Sequence, residues 1–322
     1  MIIQFFRTVS PMSLSPQQRA ESLSMQQVQS FCRVYELGGY ANASGELGLA
    51  GPTLWEQVKS LEKVYKARLF ERVGRNVRPT ASGHLLYRLL LPLIATVESS
   101  FNVLAEADAT GSKLIRLVTG VRMMLEELGD PLRKFAIEHP DHRLRLMTAD
   151  NRVAQELILL DKADIALLIE PPRDVIMQGI ECQILYPIEY LIAFPPKHKL
   201  ASKKSFSFQD LENQPLIAGN PDTVGRRMLE QAWFRLGIKT PIRITAETDN
   251  SAVTLACVRA GLGIGIIAGR IDGNLTKQLV TKSAAKELGI VNVVAATKAG
   301  RTLTQVLARM LEHLRLESPS TS

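Results

Sequence analysis

The apolar positions in the first part of the chain repeat with a helical period that is broken once. Over residues 40–62 the apolar side chains fall on one helical face, and residues 49–52 (LAGP) interrupt them with a Gly-Pro turn signal. That face consists of Ala43, Leu47, Leu54, Val58 and Leu61. An earlier helix is predicted by the same spacing of Val28, Phe31, Cys32 and Tyr35. Residues 40–62 are therefore predicted to form a helix, a sharp turn and a second helix.

A short basic segment, residues 71–80 (ERVGRNVRPT), then gives a hairpin signal, and Leu69 and Phe70 are expected to pack beneath it. A helix-turn-helix followed by a hairpin is a winged helix-turn-helix, which makes double-stranded DNA the leading candidate partner. A solvated amphipathic helix in a purely structural bundle has the same apolar pattern, so that alternative stays open.

A longer helix is predicted over residues 81–108. Its narrow apolar seam has near-heptad spacing and consists of Leu86, Leu90, Leu93, Val97 and Leu104. Such a seam suits pairing with a second helix, so we expect a homodimer through residues 81–108, with a tetramer also open. Packing within its own domain is the alternative. Pro92 removes one backbone hydrogen bond and is expected to kink the helix.

Beyond a small polar linker at residues 109–112, strands and helices alternate, which predicts parallel-rich α/β sheets. Strands are predicted at residues 113–119, 143–148, 163–169, 190–194, 215–218, 242–245, 263–267 and 290–295. Helices are predicted at residues 123–138, 152–160, 224–236, 251–260 and 303–316. The fold class is thus α/β with an N-terminal all-α winged helix-turn-helix.

The length of 322 residues suits about two domains. We expect a flexible extension over residues 1–22, with Met1, Met12 and Met25 as candidate starts. The winged domain is then predicted over residues 23–80, the linking helix over 81–108 and the α/β domain over 113–322.

The net charge of +7 favours an anionic partner, although many basic proteins bind no nucleic acid. The distribution of charge is more informative, because residues 59–88 hold eight basic residues against two acidic ones, Glu62 and Glu71. The basic residues are Lys59, Lys63, Lys66, Arg68, Arg72, Arg75, Arg78 and Arg88. Beside a helix-turn-helix, such a cluster can neutralise phosphates and supply the sequence-independent part of binding.

The outward face of the second helix is the predicted site of base reading. Pro52 suits the first helical turn, where its missing N–H leaves no hydrogen bond unmade. The DNA-contacting residues are predicted to be Pro52, Thr53, Trp55, Glu56, Gln57 and Lys59 on the helix and Arg72, Arg75 and Arg78 on the hairpin. Gln reads adenine, Glu accepts from cytosine, Thr touches a methyl group and Lys takes phosphate or guanine. For Trp55, contact with a base or sugar and packing against the wing are both open.

Other chemistry has no sequence support. The three cysteines are isolated, and the five histidines form no metal-binding cluster. Residues 261–265 (GLGIG) follow a predicted helix and enter a strand, the reverse of a dinucleotide fingerprint. No run approaches the roughly 18–20 apolar residues of a membrane span, and no signal peptide is apparent. We therefore expect a cytoplasmic protein that is not an enzyme, with no metal, no cofactor and no membrane partner.

The N-terminal motifs resemble those of LysR-type transcriptional regulators. The match rests on Leu61-Glu62, on Leu69-Phe70-Glu71-Arg72 and on Thr80-Ala81-Ser82-Gly83, and the resemblance runs from about residue 25 through nearly the whole chain. Gly51, Trp55 and Glu56 depart from it, since they replace the family's usual Gln, Ser and Arg. The family's base readout therefore does not transfer to this chain, although the fold does.

The resemblance also implies that residues 113–322 form an effector-binding domain of two α/β lobes, like a periplasmic binding protein. Lobe I would comprise about 113–186 and 289–322, and lobe II about 187–288, with a small-molecule effector between them. The residues implied to bind it are Thr119, Gly120, Val121, Thr148, Asp222, Thr223 and Asp249. Arg122 adds positive charge nearby and is also expected to contact the effector. Residues 119–121 end a strand and open a helix, where backbone N–H groups can hold an anion. Helix capping is the alternative role. The rival function is a solute-binding or enzymatic α/β protein with a structural N-terminal bundle.

Overall fold

The computed structural model describes residues 15–74, 76–108, 113–221, 223–271 and 273–315. The chain forms two compact units, Met1–Val97 and Glu98–Ser322. This division falls inside the long helix rather than at the linker expected at residues 109–112, which lies outside the described residues. The helix therefore contributes turns to both units.

The first unit is helical apart from one hairpin. Its elements are α1 (Pro16–Glu21), α2 (Met25–Glu36), α3 (Tyr40–Leu47), α4 (Gly51–Tyr65), β1 (Phe70–Val73), β2 (Asn76–Pro79) and α5 (Ala81–Ala107). β1 and β2 pair antiparallel, which confirms the predicted hairpin. α1 falls within the extension that we expected to be flexible. It forms a helix because Ser15 and Gln18 close a capping box at its start, although none of its residues is buried.

The apolar face predicted for the helix-turn-helix forms the core of this unit. Ala43, Leu54, Val58 and Leu61 are completely buried, together with Phe31 of α2. Each large side chain in such a position stabilises the fold by about 1.5–3 kcal/mol relative to an exposed one. The helical period read from the sequence is therefore confirmed for α2, α3 and α4.

The sharp turn lies slightly earlier than predicted. Gly48 ends α3 with a φ of +63°, the left-handed conformation that glycine adopts without steric cost. Ser44 Oγ donates a hydrogen bond to the Leu49 carbonyl, 2.5 Å away, and so holds the turn. Gly51 and Pro52, read as a turn signal, already belong to the first turn of α4.

The apolar residues of α5 divide between two faces instead of forming the single predicted seam. Leu86 and Leu90 are buried in the core of the first unit. Leu85, Leu89 and Leu93 are exposed, Leu89 by 64% and Leu93 by 47%. Of the predicted seam, Leu86 and Leu90 are thus buried in the winged core, whereas Leu93 and Leu104 are exposed. Leu85 and Leu89, which were not predicted, extend the exposed line. Pro92 lies inside the helix, which continues to Ala107.

By length and composition alone, α5 is also the one helix among the described residues that could cross a membrane. This corrects the expectation that no segment comes near that standard. A single helix of this kind is weak support for a membrane span, since an apolar helix that pairs with another in a soluble protein meets the same test.

The second unit is an α/β structure. Its strands are β3 (Leu114–Thr119), β4 (Arg143–Thr148), β5 (Ile165–Ile169), β6 (Ile180–Phe194), β7 (Leu216–Gly219), β8 (Ile244–Thr248), β9 (Ile264–Gly269), β10 (Val280–Ser283) and β11 (Ile290–Lys298). Its helices are α6 (Val121–Glu126), α7 (Gly129–Glu138), α8 (Asn151–Leu159), α9 (Val224–Arg235), α10 (Ser251–Arg259), α11 (Ala285–Leu288) and α12 (Gln305–Leu314). A short 3-10 turn covers Phe208–Leu211.

These nine strands form one sheet in the order β4-β3-β5-β11-β6-β9-β7-β8, with β10 also paired to β6. β3, β4 and β5 run parallel to one another, as do β7, β8 and β9. We call the set built on β3, β4 and β5 the first lobe and the set built on β7, β8 and β9 the second lobe. The long strand β6 belongs to both, since it pairs with β11 through its first part and with β9 through its last.

The register of β6 brings the carboxyl ends of the two lobes together. Ile169, the last residue of β5, pairs with Val293, which in turn pairs with Tyr186 of β6. Gly269, the last residue of β9, pairs with Glu189 of β6. Both sets of parallel strands therefore end near residues 186–189, and their carboxyl edges face each other. Ligands of open α/β sheets bind beyond such carboxyl ends.

Several predicted elements of this unit need correction. The helix expected at residues 123–138 is two helices, α6 and α7, separated at Glu127 and Leu128 and restarted at Gly129. The strand expected at residues 190–194 is the last third of β6, which begins at Ile180 and passes through Pro187. β10 and α11 were not predicted, because neither exceeds four residues and a segment that short shows no clear period.

The last turns of α5 are attached to the second unit through the start of α12. The Glu106 carboxylate accepts hydrogen bonds from the backbone N–H groups of Gln305 (2.7 Å) and Val306 (3.1 Å). Ser99 Oγ accepts one from the N–H of Thr302 (2.9 Å). A carboxylate at this position satisfies free donors at the helix start and matches the positive end of its dipole.

Candidate DNA-contacting face and effector cleft

The outward face of α4 presents three of the predicted base readers. Thr53, Trp55 and Glu56 are exposed, as is Pro52 in the first turn, whereas Leu54 between them is buried. Trp55 is exposed by 51%, although an indole side chain is largely apolar. An exposed tryptophan is informative because burial would remove much more apolar surface from water.

Gln57 is turned toward α2. Its side-chain amide oxygen accepts a hydrogen bond from Ser30 Oγ on α2, and the residue is partly buried. This direction follows from the helical period, because position 57 lies on the flank of α4 that faces α2. The residue therefore joins two helices, and its acceptor is occupied within the fold.

Lys59 and Glu62 join α4 to the wing. Lys59 Nζ lies 2.5 Å from Glu62 Oε2, while Glu62 Oε1 accepts hydrogen bonds from the N–H groups of Leu69 (2.7 Å) and Phe70 (3.3 Å). Burial by itself would raise the pKa of the Glu62 carboxyl, but these hydrogen bonds outweigh it and hold the pKa below its usual range. The Leu-Glu motif thus fixes where the wing begins.

Trp55 borders a groove between α4 and the wing. The groove is lined by Tyr40, Trp55, Lys59, Arg68, Phe70, Glu71, Arg72, Asn76 and Val77. Lys59 Nζ lies 5.8 Å from the centre of the Trp55 ring, within the range of a cation–π contact. Trp55 therefore borders the groove on one side and is exposed on the other.

The predicted phosphate contacts lie on the wing and its flank. Arg72 and Arg78 are exposed, and Arg72 Nε donates to the Gly74 carbonyl (3.1 Å) at the hairpin turn. Arg75, predicted with them, lies outside the described residues. A second basic surface at the end of α4 includes Lys63, Lys66 and Arg68. The positive charge seen in the sequence is thus concentrated beside the exposed face of α4.

The Thr-x-x-Gly motif holds α5 against the wing. Thr80 Oγ1 donates to the Arg68 carbonyl (2.6 Å) and accepts from the N–H of Gly83 (3.1 Å). Gly83 sits against the Leu69 carbonyl, with no room for a Cβ atom. These motif residues therefore shape the scaffold and do not read bases.

In the first lobe, the predicted effector residues lie at the ends of β3 and β4. Thr119 and Thr148 are paired in register, and Gly120 and Val121 begin the short α6. Thr148 is exposed at the edge, whereas Thr119 is completely buried with its hydroxyl 3.6 Å from Met123 Sδ. The Thr119 hydroxyl is thus engaged inside the lobe, and backbone groups supply the remaining polar atoms there.

The Arg122 side chain is buried inside the first lobe. Its guanidinium is buried and paired with Glu127 and with Glu126, whose Oε2 lies 3.4 Å from Nη1. Tyr186 Oη donates to Glu127 Oε2 (2.6 Å). Burial raises the pKa of the Glu126 carboxyl, and Arg122 opposes that rise without cancelling it. Two carboxylates therefore already surround the positive charge that was expected to attract an effector.

Glu126 also joins the two lobes. Its Oε1 accepts a hydrogen bond from the N–H of Leu275 (3.1 Å), which follows β9 in the second lobe. Glu126, Glu127 and Tyr186 were not among the predicted site residues. The i, i+4 spacing of Arg122 and Glu126 was a visible signal of an ion pair, but the approach of Tyr186 and Leu275 depends on the sheet.

In the second lobe, Thr223 and Asp249 lie near the ends of β7 and β8, which are adjacent and parallel. Thr223 caps α9 by accepting from the N–H of Arg226 (3.3 Å). Asp249 is exposed and accepts a hydrogen bond from Asn250 Nδ2 (2.8 Å). Asp222 lies outside the described residues. Thr223 and Asp249 therefore share the edge that faces the first lobe. In the described part of the chain, no group of three His, Cys, Asp or Glu side chains is placed to hold a metal ion.

Two protein-family models match the chain. The model for bacterial regulatory helix-turn-helix proteins of the lysR family matches residues 25–84. The model for the LysR substrate binding domain matches residues 110–318. Together they cover both units.

Individual proteins give the same picture. The HTH-type transcriptional regulator CfxR of Cupriavidus necator is 28% identical over 250 residues, which cover 77% of this chain and 76% of CfxR. The structure of full-length CbnR with its target DNA covers 91% of this chain and 99% of that one, with 19% identity and a TM-score of 0.53. The cofactor-binding domain of the Cbl transcriptional regulator covers 63% of this chain and 88% of that one, with 21% identity and a TM-score of 0.57.

Proposed function

The chain belongs to the LysR family of transcriptional regulators, and we propose that it reads DNA with the outward face of α4 and responds to a small molecule held between its two lobes. It is a DNA-binding regulator with an effector-binding domain, and not an enzyme. The observation that carries the DNA role is the exposed face of α4 beside a basic wing.

On that face, Thr53, Trp55 and Glu56 are the proposed base contacts, with Pro52 placing the helix start against the duplex. Lys59, Arg72 and Arg78 are proposed to contact phosphates, together with Arg75. Gln57 is better suited to joining α4 to α2, given its bond with Ser30.

The regulator is oligomeric in this proposal, and a homodimer would form through the exposed line Leu85, Leu89 and Leu93 of α5. Two winged units related by a two-fold axis would then meet two half-sites of a roughly palindromic operator. We keep the predicted domain limits, in which residues 81–108 link the winged domain to the effector-binding domain. The last turns of α5 are attached to the second unit through Ser99 and Glu106.

For the effector, we propose a site between the facing carboxyl edges of the two lobes. Gly120, Val121, Thr148, Thr223 and Asp249 are exposed or half-buried there and remain the proposed contacts, with Asp222. Thr119 and Arg122 would support the residues that contact the effector, since Thr119 is buried against Met123 and Arg122 is paired with glutamates. A ligand that binds one lobe arrangement better shifts the population toward it. A protein that acts on the chromosome in this way would be cytoplasmic.

A gel-shift with the DNA upstream of the protein's own gene, at two salt concentrations, tests the proposed function. Binding should be tight at low salt and fall steeply as salt rises, by a logarithmic slope of about −0.9 for each phosphate neutralised. No binding, or binding that is indifferent to salt, would contradict the proposal.

A further inference from the structure

The first two turns of α4 contain few groups that are free to read a base. Gly51 has no side chain, the ring of Pro52 carries no donor or acceptor, and Gln57 is partly buried with its amide oxygen bonded to Ser30. The exposed side chains with reading chemistry in residues 51–57 are Thr53, Trp55 and Glu56.

These three side chains do not suit guanine. In the major groove, guanine presents two acceptors, O6 and N7, which are read by two donors from one arginine or lysine. Thr53 and Trp55 each carry a single donor, and ionised Glu56 carries none. Glu56 instead matches an exocyclic amino group, on cytosine N4 or adenine N6. The apolar surface of Trp55 matches the 5-methyl group of thymine.

The surroundings of Trp55 give its ring a fixed position. Lys59 Nζ lies near the ring, Glu62 holds Lys59, and the same Glu62 holds the start of the wing. The ring also borders the groove lined by Tyr40 and Val77. A side chain that is held on one side and exposed on the other presents the same surface to every DNA sequence. It can therefore favour the base that fits this surface over the bases that do not.

The charge of Glu56 adds a second constraint. A carboxylate near the DNA backbone is repelled by phosphates, so an exposed glutamate on a DNA-reading face is unfavourable unless it meets a donor. The outward direction of Glu56, opposite the buried Leu54, Val58 and Leu61, points it at base edges when α4 lies in the major groove.

We propose that Trp55 and Glu56 determine the sequence specificity of this regulator. Trp55 contacts a thymine methyl group, and Glu56 accepts a hydrogen bond from the amino group of a neighbouring cytosine or adenine. The first two turns of α4 make no paired-donor contact with guanine. This inference rests on the proposed role of α4 as the DNA-reading helix.

The test begins with selection of binding sites from a random-sequence duplex library by the full-length protein. Each thymine of the selected site is then replaced by deoxyuridine, which lacks only the methyl group, and affinities are measured by fluorescence anisotropy. One replacement per half-site should weaken binding by the wild-type protein by about five-fold or more, the lower end of the effect of a mismatched base pair. This measurement needs no protein variant, so it does not depend on how a substitution folds.

Trp55→Ala should bind the thymine and deoxyuridine sites equally, because the side chain that distinguishes them is gone. Trp55→Phe should retain part of the preference. Glu56→Gln should change the preferred base at the adjacent position, and whether cytosine or adenine is lost identifies its partner. Lys63→Ala, on the same helix but in its basic surface, is the control and should weaken binding to selected and random DNA alike.

The proposal is overturned if the wild type discriminates between sequences but no deoxyuridine replacement matters. It is also overturned if Trp55→Ala selects the same site as the wild type. Replacement of guanines by 7-deazaguanine, which removes the N7 acceptor, should have no effect at the positions changed by the Trp55 and Glu56 variants. Failure of the wild type to bind any DNA would instead contradict the proposed function itself.

Discussion

At the residue scale, the motifs that mark the family are scaffold residues in this chain. Glu62 holds the backbone at Leu69 and Phe70, and Thr80 holds the carbonyl of Arg68. Their role explains why they match the family while the reading face departs from it. A scaffold has one geometry to maintain, whereas the reading face must differ with each operator. Recognition of the family therefore gives the fold without the target.

Gly51 and Gly83 lie in the first turns of α4 and α5, and replacing each by alanine should change the free energy of unfolding differently. Gly83→Ala should lower the free energy of unfolding by about 1–3 kcal/mol, because the new Cβ would overlap the Leu69 carbonyl. Gly51→Ala should be neutral or raise it by up to about 1 kcal/mol, because nothing lies within 4 Å of that Cβ and φ is not positive. Urea unfolding followed by circular dichroism measures both. Equal effects of the two substitutions would contradict this explanation.

At the element scale, α5 illustrates how one helix serves two cores. Its buried residues, Leu86 and Leu90, complete the winged core, while Glu106 near its end caps α12. What remains is the exposed line of leucines on the intervening face. An uncovered stripe of this kind is stable in water mainly when another helix covers it.

The exposed line should therefore be required for dimerisation. Leu89→Glu should convert the protein to monomers with little loss of fold, because Leu89 contributes almost nothing to the winged core and a charge in a helix pair is costly. Multi-angle light scattering after size-exclusion chromatography measures the mass. Phe234→Glu is the matched control, since Phe234 is 87% exposed on α9. A dimeric Leu89→Glu protein would exclude this line as the interface.

The start of the first lobe depends on one buried carboxylate. Asp164 immediately precedes β5. Its carboxylate accepts hydrogen bonds from Arg116 and from Arg301 Nη2 (2.9 Å). Asp164→Asn should lower the free energy of unfolding by about 1–3 kcal/mol at neutral pH. This value lies between those for exposed and for buried ion pairs, because Asp164 is buried whereas Arg116 is partly exposed. Thermal unfolding of the full chain measures this.

The pH dependence of that effect has a defined sign. Burial favours a higher pKa for Asp164, but the hydrogen bonds from Arg116 and the charge of Arg301 hold it below its ordinary value of 3.8. Its stabilising contribution is therefore present above that value and is lost as the pH falls through the lower folded pKa. The difference between wild type and Asp164→Asn should shrink below about pH 4. A difference that grows in acid would contradict the assignment.

At the scale of the whole molecule, the two lobes are joined by β6 and by a buried ionic cluster. Arg122, Glu126 and Glu127 bring two negative charges to one positive charge, and Leu275 of the other lobe donates to Glu126. This arrangement leaves the cluster with an excess of negative charge. Because the Glu126–Leu275 hydrogen bond joins the two lobes, a movement of one lobe relative to the other would change it.

Substitutions at Glu126 should separate the hydrogen bond from the charge. Glu126→Ala should speed hydrogen exchange at the Leu275 amide about five-fold, the equivalent of about 1 kcal/mol for one net hydrogen bond. Glu126→Gln keeps an acceptor and should leave that exchange rate nearly unchanged. Mass spectrometry of the full chain measures both. Identical exchange in all three proteins would mean that Glu126 does not hold this loop.

The same pair of proteins carries a pH signature. Because burial raises the pKa of the Glu126 carboxyl above its value in the unfolded chain, its stabilising contribution is present in acid and is lost as the pH rises through the folded pKa. Glu126→Gln, which stays neutral, should therefore gain stability relative to the wild type between acidic and neutral pH. A relative loss over that range would contradict the predicted direction.

Much of the fold was accessible from local pattern, and the exceptions have specific causes. The helices of the winged unit followed from a period that one buried face imposes on 15 residues of α4. The break between α6 and α7 was missed, because the apolar residues continue across it. The first part of β6 was missed because Pro187 argues against a central strand. The first part of the exposed face of α5 was misplaced because periodicity gives a stripe but does not say which core covers it.

The sequence by itself determined the family, most of the order of elements and the concentration of positive charge beside the recognition helix, because these depend on residue type and short-range spacing. Tertiary structure decided which of the predicted DNA- and effector-contacting side chains are exposed to a partner. It turned Gln57 to Ser30, enclosed Arg122 between Glu126 and Glu127, and left Trp55 and Glu56 facing outward. Ser30 lies 27 residues from Gln57 in the chain, and Tyr186 lies 59 residues from its partner Glu127. A local pattern contains no information about the positions of such distant neighbours.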